Sequence, residues 1–200
     1  MSGGDETVQV RSLTGAELRD AVADLAAVRM TVFAGFPYLY DGDPAYEEEY
    51  LFAFVNAPDA VLVAAFAGER IVGAATASPM AAQEEALRLP VAARGLDVGS
   101  LFYFGESVLL PEFRGRGIGH AFFDHREARA RSCGARGALF AAVVRPTDHP
   151  DRPADYRPLD DFWTSRGYAP VPGLIAALAW KEHDEAAESD KPMQFWMRDL

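Results

Sequence analysis

The spacing of hydrophobic and polar positions changes several times along the chain. Thr7 to Leu13 alternates apolar with polar residues and predicts a strand. Leu18, Val22, Leu25, Val28 and Val32 recur at helical spacing, and Thr14-Gly-Ala-Glu17 reads as a capping box for that helix. The aromatic loop Gly35-Phe-Pro-Tyr-Leu-Tyr-Asp-Gly42 interrupts it, and Asp43-Pro44 then opens a second helix running to about Phe54. Two apolar runs, Val61 to Ala67 and Arg70 to Ser78, flank Gly68-Glu69 as a hairpin. Gln83 to Leu89 reads as a short helix ending before Pro90, and Leu101 to Leu110 as a long central strand. A further helix carries Ile118, Phe122, His125 and Ala128 on its inward face, and Ala138 to Val144 forms a buried strand. Arg145 to Pro158 holds four prolines and predicts an irregular loop, and Leu159 to Arg166 a short helix ending at Gly167. Leu174 to Trp180 and Gln194 to Met197 close the pattern, with the acidic Glu182 to Lys191 between them expected as a solvated loop. This order predicts an α/β fold with a mixed central β-sheet flanked by helices.

Composition narrows the class. At 200 residues the chain is expected to form one domain spanning residues 1–200, long enough to bury a core. A formal net charge of −11 argues against a nucleic-acid binder, and suits either cationic substrates or plain solubility. Cys133 is the sole cysteine, which excludes an internal disulfide and points to a cytoplasmic location. No run approaches the about 20 apolar residues of a membrane span. The opening Met-Ser-Gly-Gly-Asp-Glu lacks the basic and apolar regions of a signal peptide. The four histidines show no metal-ligand spacing, so no metal is expected.

The most specific chemistry lies in Glu106-Ser-Val-Leu-Leu-Pro-Glu-Phe-Arg-Gly-Arg-Gly-Ile-Gly-His120, a strand, a proline, a glycine-rich turn and a helix start. Clustered backbone N–H groups and a positive helix end suit a pyrophosphate. A Walker loop is absent, because no Gly-Lys-Ser/Thr follows a suitably placed glycine. A dinucleotide fingerprint also fails: Gly115, Gly117 and Gly119 alternate, and His120 stands where its third glycine belongs.

The Arg-x-x-Gly-x-Gly pattern of Arg114, Gly117 and Gly119, after Val108-Leu-Leu-Pro111 and before a helix, resembles the acyl-CoA-binding motif of the GNAT acetyltransferase superfamily. Phe162-Trp-Thr-Ser-Arg-Gly-Tyr168 resembles a second signature of that family, and the element order matches over nearly the whole chain. The resemblance implies the GNAT acyltransferase fold and acetyl-CoA as co-substrate. It implies pyrophosphate binding by Arg114, Gly115, Arg116, Gly117, Ile118, Gly119 and His120. It further implies pantetheine pairing at Leu109 and Leu110, with the Leu109 amide on the thioester oxygen, and direct attack by a primary amine in a ternary complex. A homodimer through the closing strands is compatible with it, and membrane and nucleic-acid partners are not expected.

Transfer to an amine needs a base, and Glu106 is the candidate. It precedes the pantetheine-pairing segment, in an apolar stretch where desolvation disfavours the charged form; the competing reading is a carboxylate paired with an arginine. Family members often place an acidic tyrosine four residues before the glycine of the last helix, where this chain has Trp163. Tyr103 and Tyr156 are the substitutes, and Tyr156, from the proline-rich loop, is taken as the candidate acid. Tyr38, Tyr40, Asp41 and Asp43 are read as a possible collar for a cationic amine, or as cover for the core edge. His149 is a base candidate or a solvated loop residue. The proline-rich loop favours a small, enclosed acceptor over a long peptide. A rival reading is a non-catalytic acyl-CoA-binding sensor or partner subunit.

Overall fold

The computed structural model describes residues 7–200; the opening segment read above against a signal peptide lies outside them. Seven strands form one mixed sheet in the order β1-β2-β3-β4-β5-β7-β6. They are β1 (Val8–Leu13), β2 (Val61–Ala67), β3 (Arg70–Pro79), β4 (Leu101–Leu109), β5 (Gly137–Val143), β6 (Ala169–Trp180) and β7 (Ser189–Asp199). Only β4 and β5 run parallel. The helices are α1 (Gly15–Asp20), α2 (Val22–Phe33), α3 (Pro44–Val55), α4 (Glu85–Ala93), α5 (Ile118–Ser132) and α6 (Asp160–Ser165). No described helix is long and apolar enough to cross a membrane.

Strand alternation divides the core. Phe102 and Phe104 of β4 join Val63, Ala65 and Val72 on the face covered by α5, with Phe122 and Phe123 of that helix against them. The other face takes Leu18 of α1, Leu25 and Val28 of α2 and Leu51 of α3 against Leu62 and Ala64. Leu87 and Val91 of α4 pack beside Leu101 and Tyr103 there. Each fully buried Phe or Leu is worth about 1.5–3 kcal/mol.

Two irregularities in β4 shape everything that follows. The β3–β4 register shifts by one residue, from Ala77↔Phe104 to Ala75↔Ser107, which is a bulge. Because side chains alternate with period two, one inserted residue reverses the face of every later side chain. Val108 therefore packs with Leu62 and Ala74 on the α2–α3 face, although Phe104 faces α5. The second irregularity is a fork. β4 and β5 pair only over Leu101↔Gly137, Phe102↔Ala138 and Tyr103↔Leu139, and beyond these pairs the strands diverge.

Several local expectations need correction. The first helix is broken at Ala21, and Thr14 caps it without a side-chain bond, since Gly15 follows at φ +57°. The Asp43 cap holds, with Oδ1 accepting from the Ala45 N–H at 2.9 Å. α4 runs through Pro90, which removes one intrahelical bond without ending the helix. On α5 the buried face includes Phe123, Arg126, Glu127 and Ala130, and Ala128 is exposed. Charges broke the apolar period there: Glu127 is enclosed by Arg166 at 3.1 Å, Arg198 at 3.1 Å and the Tyr168 hydroxyl at 3.2 Å. The supposed solvated loop is also partly internal. Glu182 and Lys191 are buried, with Lys191 Nζ 2.8 Å from Glu185 and Arg145 2.5 Å from Glu182.

Candidate functional site

The glycine turn is built from backbone. A short 3₁₀ turn over Pro111–Phe113 follows β4, and Gly115 and Gly117 take φ of +76° and +79°. That region costs an L-residue about 1–2 kcal/mol, which accounts for glycine at both positions. Gly117 caps α5 with no side chain, so the Ile118 and Gly119 amides have no capping oxygen, whereas the His120 N–H, read above as a diphosphate donor, is already given to the Gly117 carbonyl at 3.0 Å. A Cβ on Gly115 or Gly117 would meet no protein atom within 4 Å, so space is open in front of these amides. Helix dipole, amides and space together fit an anionic diphosphate. Arg114 Nε donates to the Leu109 carbonyl at 3.3 Å, and Arg116 lies 5.2 Å over the Phe113 ring. The His120 ring packs 4.9 Å from Phe162.

The open edge of β4 begins next to this turn. The Leu110 amide donates to Val72 at 3.0 Å and its carbonyl accepts from Phe113 at 3.0 Å. Pairing of an outside ligand expected at Leu110 is therefore corrected: both of its backbone groups are used within the protein. By alternation, Leu109 turns its backbone groups away from β3 toward the fork. Its carbonyl already accepts from Arg114, so its N–H is the group that a ligand strand would use there.

Glu106 sits at the bulge. Its N–H donates to Thr76 Oγ1 at 3.2 Å, replacing the ladder bond that the extra residue disrupts. From the α5 face, the buried Arg126 guanidinium donates to the carbonyls of Thr76 and Glu106 at 3.5 and 3.4 Å. Burial lowers Arg126 to about 10.

The Glu106 side chain meets a charge cluster that sequence reasoning did not assemble. Arg29 Nη1 lies 2.9 Å from Glu106 Oε2, and Arg29 Nε donates to Glu47 Oε2 at 2.6 Å. The three side chains are 8% (Arg29), 0% (Glu47) and 4% (Glu106) exposed. The apolar environment expected for Glu106 is thus replaced by the alternative reading, an arginine pair. The Tyr50 hydroxyl donates to Glu106 Oε2 at 3.0 Å, while Glu106 Oε1 is buried with no hydrogen-bond partner among the described residues. Burial pulls the Arg29 pKa down, but Glu106, Tyr50 and Glu47 outweigh it and hold the guanidinium charged. Tyr50 and Tyr103 are raised, chiefly by burial and then by neighbours that include Glu106. Tyr38 is pushed up to about 12 by burial, Tyr156 and Glu106.

A signal for this cluster existed. Arg29 follows Leu25 by four residues, on the buried stripe of α2, and Glu47 and Tyr50 are three residues apart on α3. Nothing in the sequence paired one helix with the other.

The expected amine collar is mostly structural. Asp41 is bound to Lys181 at 2.6 Å, Asp43 caps α3, and Tyr38 packs against Phe33 at 4.5 Å and Trp180 at 5.8 Å. Arg145 ties the same loop down by donating to the Pro37 carbonyl at 2.7 Å. Tyr156 stands edge-on to Phe36 at 4.7 Å with Arg152 4.8 Å from its ring, and burial raises its phenol. His149 packs 5.5 Å from Phe36 and accepts from the Asp151 N–H at 3.2 Å. The structure brings Glu106 together with Tyr50; it places Tyr156 on the proline-rich loop beside Phe36, with no hydrogen bond to Glu106 among the described residues.

Comparison with known proteins agrees with this layout. No curated protein matches the sequence. A GCN5-related N-acetyltransferase from Kribbella flavida is 18% identical, with TM-score 0.62 over 98% of this chain and 99% of that one. A ribosomal-protein-alanine N-acetyltransferase from Brucella melitensis is 12% identical, with TM-score 0.60 over 96% and 99%. YncA from Salmonella typhimurium, solved with its cofactor acetyl-CoA, is 11% identical, with TM-score 0.60 over 96% and 94%. At these identities the likeness is one of fold. The model of the Acetyltransferase (GNAT) family matches residues 30–154, from the end of α2 through the fork and the glycine turn into the proline-rich loop, and the chain belongs to that family.

Proposed function

We propose that this acetyltransferase moves the acetyl group of acetyl-CoA onto a primary amine, by direct attack with both substrates bound. The observation that carries the reading is the open edge of β4 at Leu109, lying between the uncapped amides of α5 and the unpartnered oxygen of Glu106. Acetyl-CoA supplies an activated thioester when bound. The amides from Gly115 to Gly119, with Arg114, Arg116 and the His120 ring at the helix start, hold its diphosphate, and the Leu109 N–H pairs its pantetheine arm and polarises the thioester oxygen.

Glu106 Oε1 takes a proton from the incoming ammonium. The neutral nitrogen forms the new C–N bond as the C–S bond breaks, and the second nitrogen proton leaves to solvent. Tyr156 gives its proton to the departing thiolate and regains one from water. A phenol holds its proton at neutral pH, so the proton is there to give. Arg29 and Tyr50 hold Oε2, so that Oε1 is the oxygen presented to the amine.

The test is Glu106→Gln. Turnover of an amine panel should fall by about 10²–10⁴-fold, the usual scale for losing a general base. Calorimetric affinity for acetyl-CoA should stay near that of the parent. Unchanged turnover would remove Glu106 from the mechanism. Acetyl-CoA binding without release of free CoA for any amine would favour the sensor reading.

A further inference from the structure

Arg29 is one guanidinium between two carboxylates, so the buried trio with Glu47 and Glu106 has a formal charge of −1. The one oxygen in it without a partner is Glu106 Oε1. A buried acceptor atom left unpaired is costly, and a cation placed there would relieve both the missing bond and the excess charge.

A line of aromatic rings leads from this oxygen to the surface. Tyr50, which binds Glu106, stacks with Tyr46 at 6.4 Å, and Tyr46 lies 6.5 Å from Tyr40. Tyr46 is 46% exposed, so its ring face is available to a ligand. Two acidic residues from separate elements add their charge to its surroundings. Glu84 precedes α4, just past the Ser78↔Tyr103 pair of β3 and β4, and Glu188 precedes the Ser189↔Trp180 pair that opens β7. Both are exposed, and among the described residues neither is in an ion pair. Their charges reach the Tyr46 phenol, whose pKa is raised by burial and then by Glu84.

We infer that the acceptor is a flexible aliphatic amine carrying at least two positive charges, its reacting nitrogen at Glu106 Oε1 and its distal ammonium against the exposed Tyr46 ring, in the field of Glu84 and Glu188. The inference rests on the acetyl-transfer reading and adds the substrate class. A tyrosine face attracts an ammonium and the carboxylates add Coulomb attraction, whereas a monoamine of equal length gains neither.

Steady-state rates with saturating acetyl-CoA should be compared for 1-aminobutane, 1,4-diaminobutane and spermidine. The diamine and spermidine should exceed the monoamine in kcat/KM by about tenfold or more. The double variant Glu84→Gln/Glu188→Gln should lose that preference through a raised KM for the diamine. Tyr46→Ala should lose part of it. Calorimetry of spermidine onto the complex with CoA forms a separate arm, with binding weakened in the double variant and by added salt. Equal use of monoamine and diamine, or a preference that survives the double variant, overturns the inference and leaves acetyl transfer standing. Glu84- and Glu188-dependent spermidine binding without acetylation sinks the catalytic reading and keeps the ligand class. Absence of both binding and preference overturns the inference outright.

Discussion

The two halves of the site are made from different materials. The half proposed to face acetyl-CoA is main chain: a glycine-capped helix start and the open edge of β4, with no side-chain cap at the N-terminus of α5. The half proposed to face the acceptor is side chain: Arg29, Glu47, Tyr50 and Glu106, contributed by two helices and a bulged strand. A main-chain site tolerates change in its side chains and fails when φ is altered. A side-chain site fails when any one partner is removed.

The largest effect should come from Arg29→Met. It strands two buried carboxylates, and removing one partner of a buried pair costs about 3–5 kcal/mol. Thermal unfolding should show a large drop in Tm, while acetyl-CoA affinity, measured where the variant is folded, should remain near wild type. Equal damage to both would dissolve the distinction between the halves. Thr76→Val leaves the bulge amide of Glu106 without an acceptor, at a cost of about 1–3 kcal/mol. Its kcat should fall more than its acetyl-CoA affinity, because the register that aims Glu106 is loosened while the glycine turn is untouched.

Gly117→Val works on the opposite half. The strain of about 1–2 kcal/mol at positive φ should weaken acetyl-CoA by about tenfold, with the acceptor cluster intact. A variant that binds acetyl-CoA normally would show that the turn is not the diphosphate seat.

The smallest effect is alkaline. Tyr38 holds its phenolic proton to about 12, whereas the unfolded phenol loses it near 10. Across that window the folded state binds more protons, so the contribution is complete below pH 10 and declines as pH rises toward 12. Its size is about 1.4 kcal/mol per pH unit. Urea unfolding of Tyr38→Phe should lose stability less steeply with pH than the parent, and identical slopes would contradict the burial of that phenol.

This division also sets what could be read from the residues alone. The glycine turn is contiguous, so Arg114, Gly117 and Gly119 announce it within six positions, and the strand and helix order places it in a sheet. Glu106 was visible as a carboxylate in an apolar strand. Its partners were not, because Arg29 and Glu47 lie on helices whose relative packing depends on the whole core. The bulge was equally hidden: Gly105-Glu106 looks like uninterrupted strand, and only the pairing with β3 shows that a residue is in excess. Periodicity failed on α5 for a related reason, since Arg126 and Glu127 are buried through bonds to distant groups.

That surplus residue makes the length of β4 as consequential as its composition. Excising Gly105 would pair Glu106 directly with Thr76 in a regular ladder, keeping its carboxylate on the side opposite Phe104 but removing the bend that a bulge puts into the strand beside the fork. A single-codon deletion would therefore straighten the strand at the fork while every residue of the acceptor cluster stayed on its own side.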